Sequence, residues 1–393
     1  MGLNGPVLIA GGGIGGLALS IALAQRGIGC HVLEQRQTFS EAGAGIQIGP
    51  NGVHVLQMLG VAAEVEADAG KPEAIVALDG RTGRVLQRMP LGDWIRSRHG
   101  APYWVAHRAD LQKALLSAAG RQRSIEVTTG FEVRDIEARD EAVIVGSPDG
   151  RRLEGAMLVG ADGLWSMVRQ WVMPGSSPKP CGKVAMRTVL QRSDCKGPLA
   201  DDVIGAWLSS EGHVVHYPIR GGREVALVVV SGDDEVRRGW GRDVDRRRVL
   251  DRVSGFSPDL RSVIGCGENW RQWSLFEDEG FDAWSRGRVT LIGDAAHPIL
   301  PFLAQGGVMA LEDAVVLAGE IVRFPNAPVE AFDSYRRKRV GRVADVQAAA
   351  RQNGKVYGLG GPLALARNLS MAALGGARLM VRYDWIYGWR CER

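Results

Sequence analysis

The apolar run Val7–Ala10 breaks into Gly11-Gly12-Gly13-Ile14-Gly15-Gly16, and the next residues turn apolar at helical spacing (Leu17, Ala18, Ile21, Ala22) as far as Gly27. Cys30-His31-Val32-Leu33 then reads as a second strand, closed by Glu34. This strand–turn–helix–strand order carries G-x-G-x-x-G at Gly11, Gly13 and Gly16, with an acid about 20 residues further on. Each glycine has a separate reason. Gly11 permits the tight turn, Gly13 lets a pyrophosphate approach the backbone, and Gly16 lets helix pack on strand. Ile14 and Gly15 open the helix, whose free N–H groups and positive dipole end suit phosphates. Glu34 would accept hydrogen bonds from ribose hydroxyls, with Gln35 and Arg36 beside it and Val133 further along as additional contacts. The spacing alone is often a chance match in a chain with 53 glycines; strand, helix and acid in place give it weight. It specifies a dinucleotide and leaves FAD and NAD open.

At 393 residues the chain has material for two or three domains, and its 45% hydrophobic and 23% charged residues are those of a globular protein. The net charge of +4 suits anionic small molecules, and no arginine-rich arm points to nucleic acid. Five cysteines (Cys30, Cys181, Cys195, Cys266, Cys391) include no C-x-x-C pair, which argues against a disulfide framework and against a metal site. The stretch 360–381 comes nearest to a membrane span but is interrupted by Arg367 and Arg378. With no basic leader at the start either, the expectation is a cytoplasmic protein with no transmembrane segment.

Two later segments decide between the dinucleotides. One is Met157-Leu158-Val159-Gly160-Ala161-Asp162-Gly163; the other is Val289-Thr290-Leu291-Ile292-Gly293-Asp294, followed by Ala304-Gln305-Gly306-Gly307 and a helix over 308–321. Both are apolar strands broken at a Gly/Asp turn. Here the chain resembles the single-component FAD-dependent aromatic hydroxylases, the group of 4-hydroxybenzoate, salicylate and 3-hydroxybenzoate hydroxylases. The resemblance also takes in Gly43-Ala44-Gly45-Ile46-Gln47-Ile48-Gly49-Pro50-Asn51, His107-Arg108-Ala109-Asp110-Leu111 and Tyr383-Asp384-Trp385-Ile386-Tyr387-Gly388. It implies that Asp294 holds the ribityl chain of FAD and that Arg108 reaches its phosphates. It places Gly306, Gly307 and Val308 at the flavin's pyrimidine edge, Gln47 near the isoalloxazine, and Asp162 in a motif serving FAD and the nicotinamide cofactor. Taken singly, Asp294 and Asp162-Gly163 read as ordinary turns and Arg108 as a surface arginine. His297 reads as a loop-orienting residue.

The fold class that follows is α/β: a Rossmann-like FAD-binding domain with an inserted antiparallel β-sheet substrate domain and C-terminal helices. The divisions expected are 1–180 and 276–330 for FAD, 181–275 for the sheet, and 331–393 for the helices. Short β-rich runs at 184–190, 203–208, 213–219 and 224–230, divided by turns, support the inserted sheet. Arg336-Arg337-Lys338-Arg339 reads as a solvated helix face.

Side chains alternate along the 213–219 run, so His213 and Tyr217 share one face and His216 looks the other way. On their own they read as packed core. The resemblance turns that first face toward the flavin and makes His213 and Tyr217 the catalytic pair at a phenolic oxygen. Arg187 is a candidate for the substrate carboxylate or equally for a structural ion pair, and Pro301 borders the reactive face, with Phe302 and Leu303 excluding water. The implied reaction is hydroxylation of a salicylate- or 3-hydroxybenzoate-like acid by O2 through a flavin C4a-hydroperoxide, with NADH (or NADPH) as reductant. No second G-x-G-x-x-G serves the nicotinamide. A homodimer is compatible with this reading. The competing class is an FAD-dependent dehydrogenase or reductase that inserts no oxygen.

Overall fold

The strands read from the opening motif pair in parallel, Val7–Ala10 beside Cys30–Glu34 with Ile9 opposite Val32. On its other edge Val7–Ala10 takes Met157–Gly160, which in turn takes Val289–Leu291, so both Gly/Asp segments end beside the glycine loop. Ile125–Thr129 and Ser285–Arg286 complete a six-stranded sheet. The apolar runs carry no alternation because both faces are covered, as parallel strands require; Val7, Leu8 and Ile9 are fully buried. Helices Ile14–Ala24 and Gly306–Arg323 pack together on this sheet. The structure, a computed structural model, describes residues 3–39, 45–232, 235–236, 238–239, 241–278 and 283–391. Gly43 and Ala44 of the 43–51 motif lie outside the described residues.

The second layer is an eight-stranded sheet ordered Arg242–Asp243, Arg271–Glu277, Lys179–Gln191, Glu224–Gly232, Gly212–Ile219, Val203–Ser209, Ala74–Asp79, Val85–Pro90. All four β-rich runs are strands in it. The last two come from before residue 181, and Ala74–Asp79 joins Val203–Ser209 in parallel. The layer is therefore mixed and discontinuous in sequence, where 181–275 and an antiparallel sheet were expected; a single parallel pairing extends it over the buried apolar residues Val76 and Leu78. One face delivers Tyr217, Ile219, Ala226 and Val230 to the core shared with the nucleotide layer. The other delivers Val214, Trp207, Leu227 and Val229 to a separate core closed by helices Arg246–Arg252 and Pro258–Cys266.

The chain closes with helix Pro328–Tyr357 and shorter helical pieces. Arg339 corrects the reading of the basic run. Arg337 and Lys338 are exposed, but Arg339 turns inward and is 1% exposed, because its helix face meets two buried acids. The 360–381 stretch forms Gly361–Leu374 and Gly376–Val381; among the described residues no helix is long and apolar enough to cross a membrane.

Candidate active site

The glycine loop has the form the pyrophosphate argument requires. Gly11 has φ +105°, and a Cβ there would lie 2.4 Å from the Ala161 carbonyl oxygen. On Gly16 a Cβ would lie 2.0 Å from the Gly11 oxygen, whereas on Gly13 it would meet nothing within 4 Å. Two glycines are thus consumed by packing, and the third leaves open space at the start of helix Ile14–Ala24, where Ile14, Gly15 and Gly16 present N–H groups outside the helical ladder. A Cβ on Gly15 would lie 3.3 Å from Ala310 Cβ of the neighbouring helix. Glu34 is already positioned: its Oε2 accepts from Gly12 N–H and its Oε1 from Arg36 N–H, both at 2.9 Å. Each oxygen keeps a further lone pair for a ribose hydroxyl. Gln35 is exposed beside it, and Val133 follows a segment tied to this strand end by Phe131 N–H to Glu34 O.

Asp294 stands at the end of Val289–Leu291 with no hydrogen-bond partner among the described residues, 3.9 Å from where a Gly306 Cβ would be. Burial raises its carboxyl above the usual range, against the opposing pull of Arg108, His297 and Arg169. A half-buried acid with no hydrogen bond from its own protein among the described residues is a polar group awaiting a hydroxylic partner. Beside it, helix Gly306–Arg323 begins with no side-chain cap, so Gly306, Gly307 and Val308 offer N–H groups at the positive end of an 18-residue helix. Gly307 leaves room for Ile46, whose Cδ1 would be 2.5 Å from a Cβ. Arg108 starts helix Arg108–Gly120, and from the same helix Gln112 Nε2 donates to Gly12 O at 2.9 Å. These features fit FAD: an open phosphate cradle, a ribose acceptor, a free acid and a second helix terminus.

Asp162 is engaged by the protein itself, accepting from Ser166 Oγ (2.5 Å) and Val168 N–H (3.1 Å), which fixes the turn before helix Met167–Val172. Arg169 of that helix is fully buried and donates to the Asp294 and Ala295 carbonyls, joining the two Gly/Asp segments. Beneath the Gly306 helix lies an ion network absent from the sequence reading. Asp313 accepts from His297 Nε2 (2.6 Å), Arg339 Nε (2.7 Å) and Gly293 N–H (3.0 Å). Glu312 takes Arg339, Arg342 and Asn51, and Asn51 also reaches Gln305. Burial works against the Asp313 charge, yet His297 and Arg339 hold its carboxyl down at about 2. The only signal in the sequence was Glu312-Asp313 inside an apolar helical run.

Facing this cradle is the His213 strand. Tyr217 Oη donates to Gly45 O (3.0 Å), and its ring fills the space a Gly45 Cβ would take. With its hydrogen committed, Tyr217 offers only lone pairs; burial raises its pKa, with Arg187 opposing. His213 meets Tyr357 and Phe302 edge-on, at 5.1 and 5.4 Å. Burial, with Lys183 adding to it, pushes its imidazole down to about 3, so it is neutral at neutral pH. Pro301 is exposed at the start of the turn Pro301–Leu303. Gln47, on the strand Gly45–Ile48, accepts from Tyr103 Oη at 2.8 Å. Arg187 stacks on Trp273 at 5.2 Å, with its Nε enclosed and no hydrogen bond or ion pair among the described residues. Desolvation lowers its pKa, as for a cation lacking an anion. His216 points into the other core, accepting from Trp207 Nε1 (3.0 Å) and meeting Pro198 O (2.9 Å).

The family described as FAD binding domain matches residues 4–350. A 3-hydroxybenzoate 6-hydroxylase of Polaromonas naphthalenivorans is 36% identical over 98% of this chain and 96% of its own length. A 3-amino-4-hydroxybenzoate 2-monooxygenase of Streptomyces cremeus is 33% identical over 97% and 94%. Among solved structures, Klebsiella pneumoniae HpxO complexed with FAD and uric acid superposes with a TM-score of 0.83 at 28% identity, covering 96% of this chain and 95% of that one.

Proposed function

Because the chain belongs to the FAD binding domain family and, within it, to the single-component FAD-dependent aromatic hydroxylases, we propose that it hydroxylates a small phenolic carboxylic acid of the 3-hydroxybenzoate or salicylate type, with O2 and NADH as co-substrates. FAD, when bound, supplies hydride acceptance and oxygen activation. Glu34, Arg108, Asp294 and the N–H groups of Ile14 to Gly16 and Gly306 to Val308 would hold it. Gln47, Asp162, Gln35, Arg36 and Val133 would complete its surroundings.

The observation that carries the substrate class is Arg187. Its guanidinium, half-buried with Nε enclosed, has no anionic partner within the described residues and lies close enough to Tyr217 to shift that residue's pKa. A substrate carboxylate answers that charge in bidentate fashion. The phenolic O–H then donates to Tyr217, whose own hydrogen is spent on Gly45. For ionisation that O–H rotates from Tyr217 to His213, which is neutral and without a hydrogen-bond partner among the described residues, and which takes the proton at a ring nitrogen. An imidazolium alone is disfavoured there, but the transfer creates an adjacent phenolate, so the charges form as a pair. Removal of the proton raises electron density ortho and para to the oxygen, where hydroxylation occurs. Phe302 and Tyr357 keep water from that pair.

The reading includes a cytoplasmic location and a homodimer. Its test is a screen of hydroxybenzoates, salicylate and hydroxynicotinates that follows NADH oxidation, O2 uptake and product mass together. At least one acid should accelerate NADH oxidation strongly and gain one oxygen atom per NADH consumed. Equal rates with and without every acid would refute the substrate class. Oxidised product without incorporated oxygen would favour a dehydrogenase.

A further inference from the structure

The Tyr383–Gly388 motif was singled out in the sequence, yet none of the roles above uses it. In the structure it is pinned. Arg342 donates to the Trp385 and Ile386 carbonyls at 2.9 and 3.0 Å, and Arg98 Nε donates to Asp384 at 2.7 Å. These contacts drive the Tyr387 ring against Gly49, where a Cβ would be 2.7 Å from Cε1, and edge-on to Tyr103 at 5.9 Å. Both tyrosines are under 5% exposed.

Tyr103 has one hydrogen and gives it to Gln47 Oε1. The Tyr387 ring, packed edge-on against Tyr103, holds that phenol in place. The Tyr103 bond thus fixes the Gln47 carbonyl toward Tyr103 and turns its NH2 away from it. Gln47 shares a face with Gly45 on their strand; that face meets Tyr217, and the intervening Ile46 meets Gly307.

We infer that Tyr103 and Tyr387 are positioning residues that make Gln47 a one-directional hydrogen-bond donor toward the flavin ring. This rests on the reading of Gln47 as a residue beside FAD, and does not depend on the identity of the aromatic substrate. A fixed donor favours the reduced ring, which carries more negative charge on its nitrogen and carbonyl edge than the oxidised ring does. A glutamine free to rotate would offer either end and lose that preference.

The experiment uses the FAD-loaded protein without any aromatic acid, recording the midpoint potential and visible spectrum of the bound flavin. The variants are Gln47→Leu, Tyr103→Phe, Tyr387→Phe and the double Tyr103→Phe/Gln47→Leu; the phenylalanines keep the ring packing. Gln47→Leu should lower the potential, equivalent to a roughly two- to tenfold loss of preference for reduced over oxidised flavin. Tyr103→Phe should lower it by a similar amount, the double variant no further, and Tyr387→Phe, which keeps the ring against Tyr103, should leave it near the wild-type value. Wild-type potentials in all variants overturn the inference, as does a shift in Gln47→Leu with none in Tyr103→Phe, or full additivity in the double variant. Failure of the substrate screen leaves these readings unaffected, so the two proposals fail separately.

Discussion

Replacing Arg187 with methionine removes a charge that lacks an anion and keeps the length to cover Trp273, so the ligand-free fold should be no less stable. Binding should tell the opposite story. Titration by flavin absorbance should show a phenolic carboxylate bound about 30-fold or more weakly, from the loss of a charge-assisted pair. The parent phenol, lacking the carboxylate, should be bound about as before. At the proton-handling pair, His213→Ala and Tyr217→Phe should retain FAD and lower the ratio of hydroxylated product to NADH consumed. A fall in hydroxylation of about 10²–10⁴-fold is expected where general-base help is lost. His216→Ala should stay coupled but melt early, losing about 2–4 kcal/mol, because its ring fills the space beside Gly205 and bonds Trp207. Acid should act through both histidines. Their folded pKa values, about 3 and about 4, lie below the unfolded value near 6.5. The unfolded chain alone binds their protons in that window, so their contribution is present above pH ~6.5 and is lost as pH falls toward 3. Replacing either with glutamine should flatten denaturation midpoints between pH 6.5 and 4. That His213 and Tyr217 share a face was legible from period-two alternation. The spending of Tyr217's hydrogen on Gly45, 172 residues away, could not be read from any local pattern.

Elements fail in different ways according to which side of a glycine is crowded. Gly16→Ala would drive a methyl into the Gly11 carbonyl, so the protein should fold poorly with or without FAD. Gly13→Ala meets open space. Its melting temperature without cofactor should match wild type, while FAD affinity measured by flavin fluorescence should fall at least tenfold as the methyl enters the phosphate cradle. Comparable melting loss in both variants would contradict that division. The Gly306 helix depends on the ion network under it. Arg339→Met takes a buried cation from Glu312 and Asp313, both 0% exposed, leaving Glu312 to Arg342 and Asp313 to His297, and should cost about 3–5 kcal/mol, seen in chemical denaturation, with weaker FAD retention as its first turn loosens. The glycine loop, the Gly/Asp turns and the four β-rich runs were legible because each is a local pattern forced by one neighbour: a phosphate, a turn, a sheet. Arg339 was not, because four basic residues in a row look alike until a buried acid selects one. Asn51, Gln112 and Arg169 escaped for the same reason, their partners lying over 100 residues away or being backbone carbonyls.

At the scale of the molecule, the FAD cradle and the His213 face meet in one core, so cofactor binding should stabilise both layers together. At FAD one hundredfold above its dissociation constant the gain should be about 2.7 kcal/mol, read as a single cooperative transition moving to higher temperature; two separate transitions would show independent layers. The two-layer architecture was legible from the change between the apolar strands broken at Gly/Asp turns and a run of short β-rich segments divided by turns. The borders were not, because Ala74–Asp79 and Val85–Pro90 join the far sheet through a long-range parallel pairing that no turn announces. That interleaving bears on the order in which a ribosome delivers the parts. The nucleotide sheet lacks Val289–Leu291 until the whole eight-stranded layer has emerged, and the Gly306 helix comes later still. Until then Met157–Gly160 stands as an unpaired edge open to other chains. A nascent chain halted after residue 275 should bind no FAD and lean on chaperones, whatever the quality of its opening glycine loop.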